Sequence, residues 1–481
     1  MADSTFNLTF SKFYQGFSPL AHLNSLTPSG NAGHASVMTN CDVLSDLLTQ
    51  GPALTNLTNG TQAGVVSELI NFIMDKAVAD DTTYGIGPTK LFKISSTTVA
   101  SGGTPSWPRT ITNCTDGESV INMGGKLYYL YNTSTAGDIG RYDLSAEFID
   151  AWGSTTPTGF AALQKANHPS ASKEDLILFG NGRYLGTYIG DSTTLAPAKL
   201  DFGSGTSVDD VIFHANQWII AVNSGITGTN RTIGQVYIYD GGALSSILSD
   251  EAGVGFQRIG WLYELNGIVY IAYQDLSSTG GYKIGYLAGR QIKPLGYFTG
   301  SLPNFAQKTL FKGTILFVSS GLIYSAGAII DEFPFQISQL ADGGYATVGA
   351  LAAPFGTPMV ASTESTNFKL AKFSGYDVSC SWKSIIIPTV SGRYKGYVDE
   401  IVVLTKTLGA SARCDLTIEA DQATSTSTTQ QITGTSKRKH IFNNFGLITL
   451  EDFRIALSWA NGNASNDCAI REIQVFGHYT N

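Results

Sequence analysis

The chain has 481 residues and a formal net charge of −8. It is too long for one core of ordinary size, and its surface repels phosphate backbones and anionic lipid, which excludes a nucleic-acid-coating protein. Charged residues are only 14% and hydrophobic residues 43%, a balance that excludes a disordered or coiled-coil chain. Glycine is in excess at 53 residues, accompanied by long Ser/Thr/Asn stretches; such turn-rich text favours an all-β fold.

The first residues, Met1-Ala2-Asp3-Ser4, show neither a basic region nor an apolar one, and no stretch reaches the roughly 18 apolar residues of a membrane span. The expectation is a chain made without a secretion signal and without membrane insertion. Five scattered cysteines, Cys41, Cys114, Cys380, Cys414 and Cys468, form no CxxC. They read as reduced, buried small hydrophobes rather than as a disulfide framework or a zinc site.

Residues 1–62 have no sustained period and read as an irregular N-terminal arm whose distinctive feature is the aromatic cluster Phe10, Phe13, Tyr14 and Phe17. Such an arm cannot make a core of its own, so it must be tied against its own fold or against a partner. Deleting it should then leave the remainder folded but impair assembly.

From residue 63 short apolar runs interrupted by glycine take over, a β pattern. One phrase returns six times: Gly125-Lys126-Leu127-Tyr128, Gly182-Arg183-Tyr184-Leu185, Gln217-Trp218-Ile219-Ile220, Gly267-Ile268-Val269-Tyr270, Gly313-Thr314-Ile315-Leu316 and Gly356-Thr357-Pro358-Met359. A second strand follows most copies, as at Val236-Tyr237-Ile238-Tyr239. The mean spacing, about 46 residues, is that of a four-stranded propeller blade. Residues 63–375 therefore predict a β-propeller of about seven blades, six with an insertion being the alternative suggested by the long first interval. Ser67 to Lys76 fits a helix as well as a strand, and blade order favours the strand.

The repeat stops at Ser374-Gly375. Residues 376–481 alternate cleanly with period two, as in Leu416, Ile418 and Ala420 or Phe453, Ile455 and Leu457, which predicts a C-terminal β-sandwich of about six strands.

Chemistry is sparse. Asp209-Asp210, Asp250-Glu251, Asp331-Glu332, Glu264 and Asp275 could supply an acid pair facing a channel, but carboxylates beside Gly and Ser ordinarily cap turns. The six histidines lack ligand spacing, and nucleophile elbows, P-loops and dinucleotide fingerprints are missing. No catalytic residues, metal or cofactor are expected. Trp107, between Ser106 and Pro108, is the best candidate for an exposed glycan platform, while the other tryptophans read as core. The basic run Lys437, Arg438 and Lys439 reads as a hairpin tip that could also touch a partner.

The leader text Phe13-Tyr14-Gln15-Gly16-Phe17, then Ala35-Ser36-Val37-Met38-Thr39-Asn40-Cys41-Asp42-Val43 and Leu47-Leu48-Thr49-Gln50-Gly51-Pro52 ahead of the blades, resembles virion proteins of tailed bacteriophages. The nearest kind is the propeller-bearing tail hub or nozzle protein of short-tailed phages. The likeness covers the first 375 residues in layout and only the leader in motif. It implies a structural, non-enzymatic tail component made in the host cytoplasm and located in the virion. Its implied partners are copies of itself in a ring and other tail proteins (adaptor, fibre or spike) around the DNA exit path, with Phe10, Phe13, Tyr14 and Phe17 as the assembly arm. A host-recognition adhesin that binds a cell-surface glycan is the alternative.

Overall fold

Hairpin chemistry explains the recurring phrase. Consecutive residues take positive φ at Asn266 (53°) and Gly267 (79°), and again at Lys312 (48°) and Gly313 (77°). That is the backbone of the two-residue turns whose twist matches paired strands, and glycine is favoured at the second position of each. A computed structural model describes residues 5–11, 13, 35–43, 47–59, 62–63, 65–78, 81–103, 105–145, 147–155, 163–189, 195–225, 232–248, 256–275, 281–289, 291–327, 336–364, 367–388, 395–420, 425–445 and 452–480.

The fold is all-β, and the repeating region has the up-and-down strand order of a β-propeller. Among the described residues, six four-stranded antiparallel sheets follow one another with strand order equal to chain order. Their first strands are Phe72–Ile73, Asp116–Met123, Ser170–Lys173, Thr206–His214, Phe256–Leu265 and Lys308–Phe311. A seventh sheet takes Thr347–Ala352, Met359–Glu364 and Asn367–Tyr376 from the end of the repeat, and its outer edge is formed by Pro52–Asn56 from the leader and the short strand Val65–Val66.

The second strands begin at Thr82, Lys126, Leu176, Gln217, Ile268, Thr314 and Met359, so successive units are 44, 50, 41, 51, 46 and 45 residues apart. The long first interval in the sequence phrase disappears on this count, because Gly182 lies in the turn before a third strand, Tyr184–Ile189, rather than a second one. Within Ser67 to Lys76 only Phe72–Ile73 is strand, and the residues on either side are irregular.

Adjacent sheets are glued by apolar seams, and the seams close on themselves. Ile219 and Ala221 pack forward against Ile259, Leu262 and Ile271. Their neighbours Ile220 and Val222 pack backward against Leu178 and Leu185. Both faces of each middle strand are therefore buried, which is why these strands read as unbroken apolar runs. The last seam joins Ala350, Ala352, Met359 and Leu370 of the seventh sheet to Ile73, Phe92 and Ile94 of the first.

Side-chain amides reinforce the seams. Asn223 Oδ1 accepts from the Ile259 amide at 2.8 Å, while its Nδ2 donates to the Ile259 carbonyl at 2.8 Å and to the Asp209 carboxylate. Asn132 holds Ala166 in the same way, at 3.2 and 2.9 Å, and donates to Glu118. Replacing Asn223 with Ala leaves a buried N–H and C=O unpaired. The expected cost is about 3 kcal/mol, read as a lower urea midpoint at unchanged m-value.

Two further sheets share one core after the ring. One has the order Thr5–Phe10, Ile470–Thr480, Lys395–Thr405, Lys439–Phe442; the other contains Ala35–Thr39, Ser381–Ser384, Asp452–Ser458 and Arg413–Ala420. Thr5 to Phe10 pairs in full register with His478 to Ile473. The leader is thus no separate unit ending at residue 62. Its strands Thr5–Phe10 and Ala35–Thr39 belong to the C-terminal module, and its strand Pro52–Asn56 belongs to the last sheet of the ring. Phe10 and Phe13 are wholly buried there, edge-on to Trp382 at ring centroid distances of 6.2 and 5.4 Å. Within this chain they are core side chains rather than exposed contacts. Tyr14 and Phe17 lie outside the described residues.

Candidate functional site at the ring centre

A cavity of about 710 Å³ lies where the first strands converge, and every one of the seven sheets contributes to its lining. Its charged lining is balanced: Asp75, Asp210 and Glu264 face Lys76, Lys173 and Lys308. Aromatic residues Phe72, Phe213, Tyr263 and Phe305 supply the rest of the wall that matters for a ligand.

Asp210 and Lys308 form the deepest pair, with side chains only 4% and 10% exposed. Lys308 Nζ donates to the Asp210 carboxylate and to the Leu262 carbonyl at 2.7 Å. Asp210 also accepts from the Leu262 amide at 2.7 Å and from its neighbour Val211 at 2.9 Å. Burial pushes the Asp210 carboxyl up and the Lys308 ammonium down, and each charge opposes the other's shift. Held by Lys308 and two backbone amides, Asp210 serves as a structural carboxylate rather than a free base.

Asp75 differs. It is open to the cavity, yet walled by protein, and desolvation raises its carboxyl from 3.8 to about 6 against hydrogen bonds from Thr309 and Ala353 and the attraction of Lys308. Thr309 Oγ1 donates to it at 2.6 Å and the Ala353 amide at 3.3 Å. Glu264 is exposed and accepts from the Gly267 amide at 2.8 Å, a turn cap. The centre therefore holds one accessible carboxylate of raised pKa beside a neutralised pair, an arrangement suited to holding a polar, uncharged or zwitterionic group.

The remaining sequence candidates scatter. Asp209 is buried against Asn223, and Asp275 is paired with Lys283. Asp250, Glu251, Asp331 and Glu332 lie outside the described residues. Trp107 is 47% exposed on the outer strand Ser106–Thr110, with Lys90 Nζ 4.8 Å from its ring centroid. Trp152, Trp218, Trp261, Trp382 and Trp459 are buried. Lys437, Arg438 and Lys439 are exposed, and Arg438 Nε donates to Thr407 Oγ1 at 2.7 Å. The structure does not bring Trp107 and this basic turn into one site with the cavity lining. Among the described residues no group of three or more His, Cys, Asp or Glu is arranged to hold a metal ion, and no helix is long and apolar enough to cross a membrane.

The role of Asp75 and Lys308 escaped sequence reasoning because they lie 233 positions apart, and the neighbouring pair Asp75-Lys76 looks like ordinary solvated text. The only signal was positional: Lys308 opens a first strand, where side chains turn to the channel.

A second buried acid gives a pH prediction. Burial, aided by Asp116, lifts Glu118 from 4.5 to about 8 against hydrogen bonds from His168 and Asn132. Between those values the folded chain binds more protons than the unfolded one, so this group's contribution is complete at low pH and lost as pH rises from about 4.5 to 8. Glu118→Gln should therefore be more stable than the parent at pH 8, by on the order of 2 kcal/mol, and nearly equal at pH 4.5. Urea unfolding at the two pH values checks this.

The sequence matches no protein-family model and no curated protein. Among solved structures it is similar to the extracellular domain of a putative one-component system from B. thetaiotaomicron, at 15% identity and a TM-score of 0.45, over 74% of this chain and 43% of that one. The β-propeller domain of the Trilobed protease from Pyrococcus furiosus matches at 11% identity and a TM-score of 0.39, over 64% and 96%. An exo-β-1,3-galactanase from Phanerochaete chrysosporium matches at 8% identity and a TM-score of 0.32, over 89% and 99%. Similarity at this level carries no functional argument, and the fold assignment rests on strand order.

Proposed function

We propose that the chain is a structural component of a bacteriophage tail, of the nozzle or hub ring type. In this reading a seven-bladed propeller and a C-terminal β-sandwich form one rigid building block that assembles with copies of itself and with adaptor, fibre or spike proteins around the DNA exit path. The observation that carries it is the woven leader. One segment supplies an edge strand to the C-terminal module and the outer strand to the last sheet of the ring, and a part built to survive outside a cell gains from such closure. The leader's resemblance to virion proteins agrees, as does a central lining whose acids and lysines balance. Because Phe10 and Phe13 are used internally, contacts between copies fall to other surfaces, with the exposed Lys437, Arg438 and Lys439 turn as the first to test. Mass spectrometry of purified virions, with sizing of the recombinant chain, tests the proposal; a monomer absent from particles overturns it.

One observation favours a second reading, an adhesin that binds a cell-surface glycan: Trp107 is the one tryptophan among the described residues that is exposed. A glycan array decides it. Binding that Trp107→Ala abolishes without changing the melting temperature supports the adhesin, and no binding at high micromolar protein rejects it.

A further inference from the structure

Four of the five cysteines, Cys41, Cys380, Cys414 and Cys468, lie in the core shared by the two sheets after the ring. Two of these come much closer than packing requires. Cys41 Sγ and Cys380 Sγ are 2.6 Å apart, well inside ordinary contact between unbonded sulfurs, and both residues are essentially inaccessible. The backbone around them is already fixed. Thr39 pairs with Ser381, two residues from one cysteine and one from the other. Asn40 Nδ2 donates to Asp377 Oδ2 at 3.0 Å and to Ser379 Oγ at 2.7 Å. The Trp459 amide holds the Cys380 carbonyl at 3.0 Å. Little movement separates this geometry from a covalent bridge.

We infer that Cys41 and Cys380 are a disulfide-forming pair, reduced when the chain is made and oxidised once it meets a peroxide, so that the bridge locks the leader to the C-terminal module. The step balances with hydrogen peroxide as oxidant. One cysteine sulfur attacks a peroxide oxygen, the O–O bond breaks, and a sulfenic acid and a first water result. The second thiol then attacks that sulfur, the S–S bond forms, and a second water leaves with the remaining thiol proton. Two thiols are oxidised and one peroxide is reduced to two waters.

The position gives the bridge its purpose. It spans 339 residues of sequence, so the loop it closes contains the entire ring. Cys41 precedes by 11 residues the strand Pro52–Asn56 that completes the last sheet, and Cys380 follows by four the strand Asn367–Tyr376 with which it pairs. A covalent tie beside both strands keeps the closing strand from peeling away. Burial makes the reaction slow, because the Cys380 thiol is held well above its usual range by desolvation and by Cys41 beside it. The pair therefore resists casual oxidation and, once joined, resists reduction.

The test uses the full-length recombinant chain, purified with and without a reductant and then treated with hydrogen peroxide. Each sample is unfolded in excess alkylating reagent and mapped by mass spectrometry. The expected result is a cross-linked peptide pair containing Cys41 and Cys380, lighter by two hydrogens than the free peptides, with Cys114, Cys414 and Cys468 alkylated. Unfolding of the oxidised chain should slow by about tenfold or more relative to the reduced chain. Cys41→Ala should remove both the cross-link and the slowing, and if that variant fails to fold the mapping of the parent chain still decides. Complete alkylation of Cys41 and Cys380 after peroxide, or a bridge to Cys414 or Cys468 instead, overturns the inference.

Discussion

A chain lacking residues 1–60 is expected not to fold to either module. Deletion removes the Thr5–Phe10 strand from the sheet centred on Ile470–Thr480 and the Pro52–Asn56 strand from the last sheet of the ring. It also removes Phe10, Phe13, Met38, Cys41, Val43 and Leu48 from one core. Burying a large apolar side chain is worth about 1.5 to 3 kcal/mol, so their combined loss reaches the roughly 5 to 15 kcal/mol that holds a domain together. This reverses the expectation, drawn from the arm's irregular text, that deletion would leave the rest folded. It also means that residues 376–481 cut free of the ring lack two of their own strands. Circular dichroism and thermal melting of the truncated chain supply the check. A truncated protein that melts cooperatively within a few degrees of the full chain would show that the leader is dispensable to closure.

The second large effect is expected at the ring centre. Lys308→Met leaves the Asp210 carboxylate buried with its two backbone amides but without its countercharge. Removing one partner of a buried pair costs about 3 to 5 kcal/mol, because the remaining charge stays desolvated. The lysine also anchors the Leu262 carbonyl at 2.7 Å, so the first strand of the neighbouring sheet is loosened as well. A control sets the scale. Lys312 pairs with Asp42 at 3.6 Å while its own side chain is 54% exposed, and Lys312→Met should cost no more than about 0.5 kcal/mol. Urea midpoints of the two variants against the parent distinguish these outcomes, and equal midpoints would mean the central pair is not a structural element.

Much of the ring was legible from local chemistry. Positive-φ turns favour glycine strongly, so Gly267 and Gly313 announce hairpins whatever surrounds them. Middle strands buried on both faces need apolar residues at every position, and Ile219 to Val222 satisfy that in the text itself. The repeat length follows from four strands and their turns. The slip at Gly182 shows the limit of such reading, since a glycine before a third strand looks the same as one before a second.

The candidate site was far less legible. Asp210 and Lys308 are 98 positions apart, and nothing in either neighbourhood marks the other. Asp75 sits in text that favoured a strand, while the structure places it just past the short pair Phe72–Ile73, where the chain turns into the cavity.

By itself the sequence determined the all-β class and the spacing of the repeated sheets, because turn geometry and strand burial are properties of neighbouring residues. Only the tertiary structure decided where the leader goes, which cysteines meet and which charges are buried together. Those depend on contacts across long stretches of chain, 98 residues for Asp210 and Lys308 and more than 300 for Pro52–Asn56 against Asn367–Tyr376, and no local propensity encodes a partner at that distance.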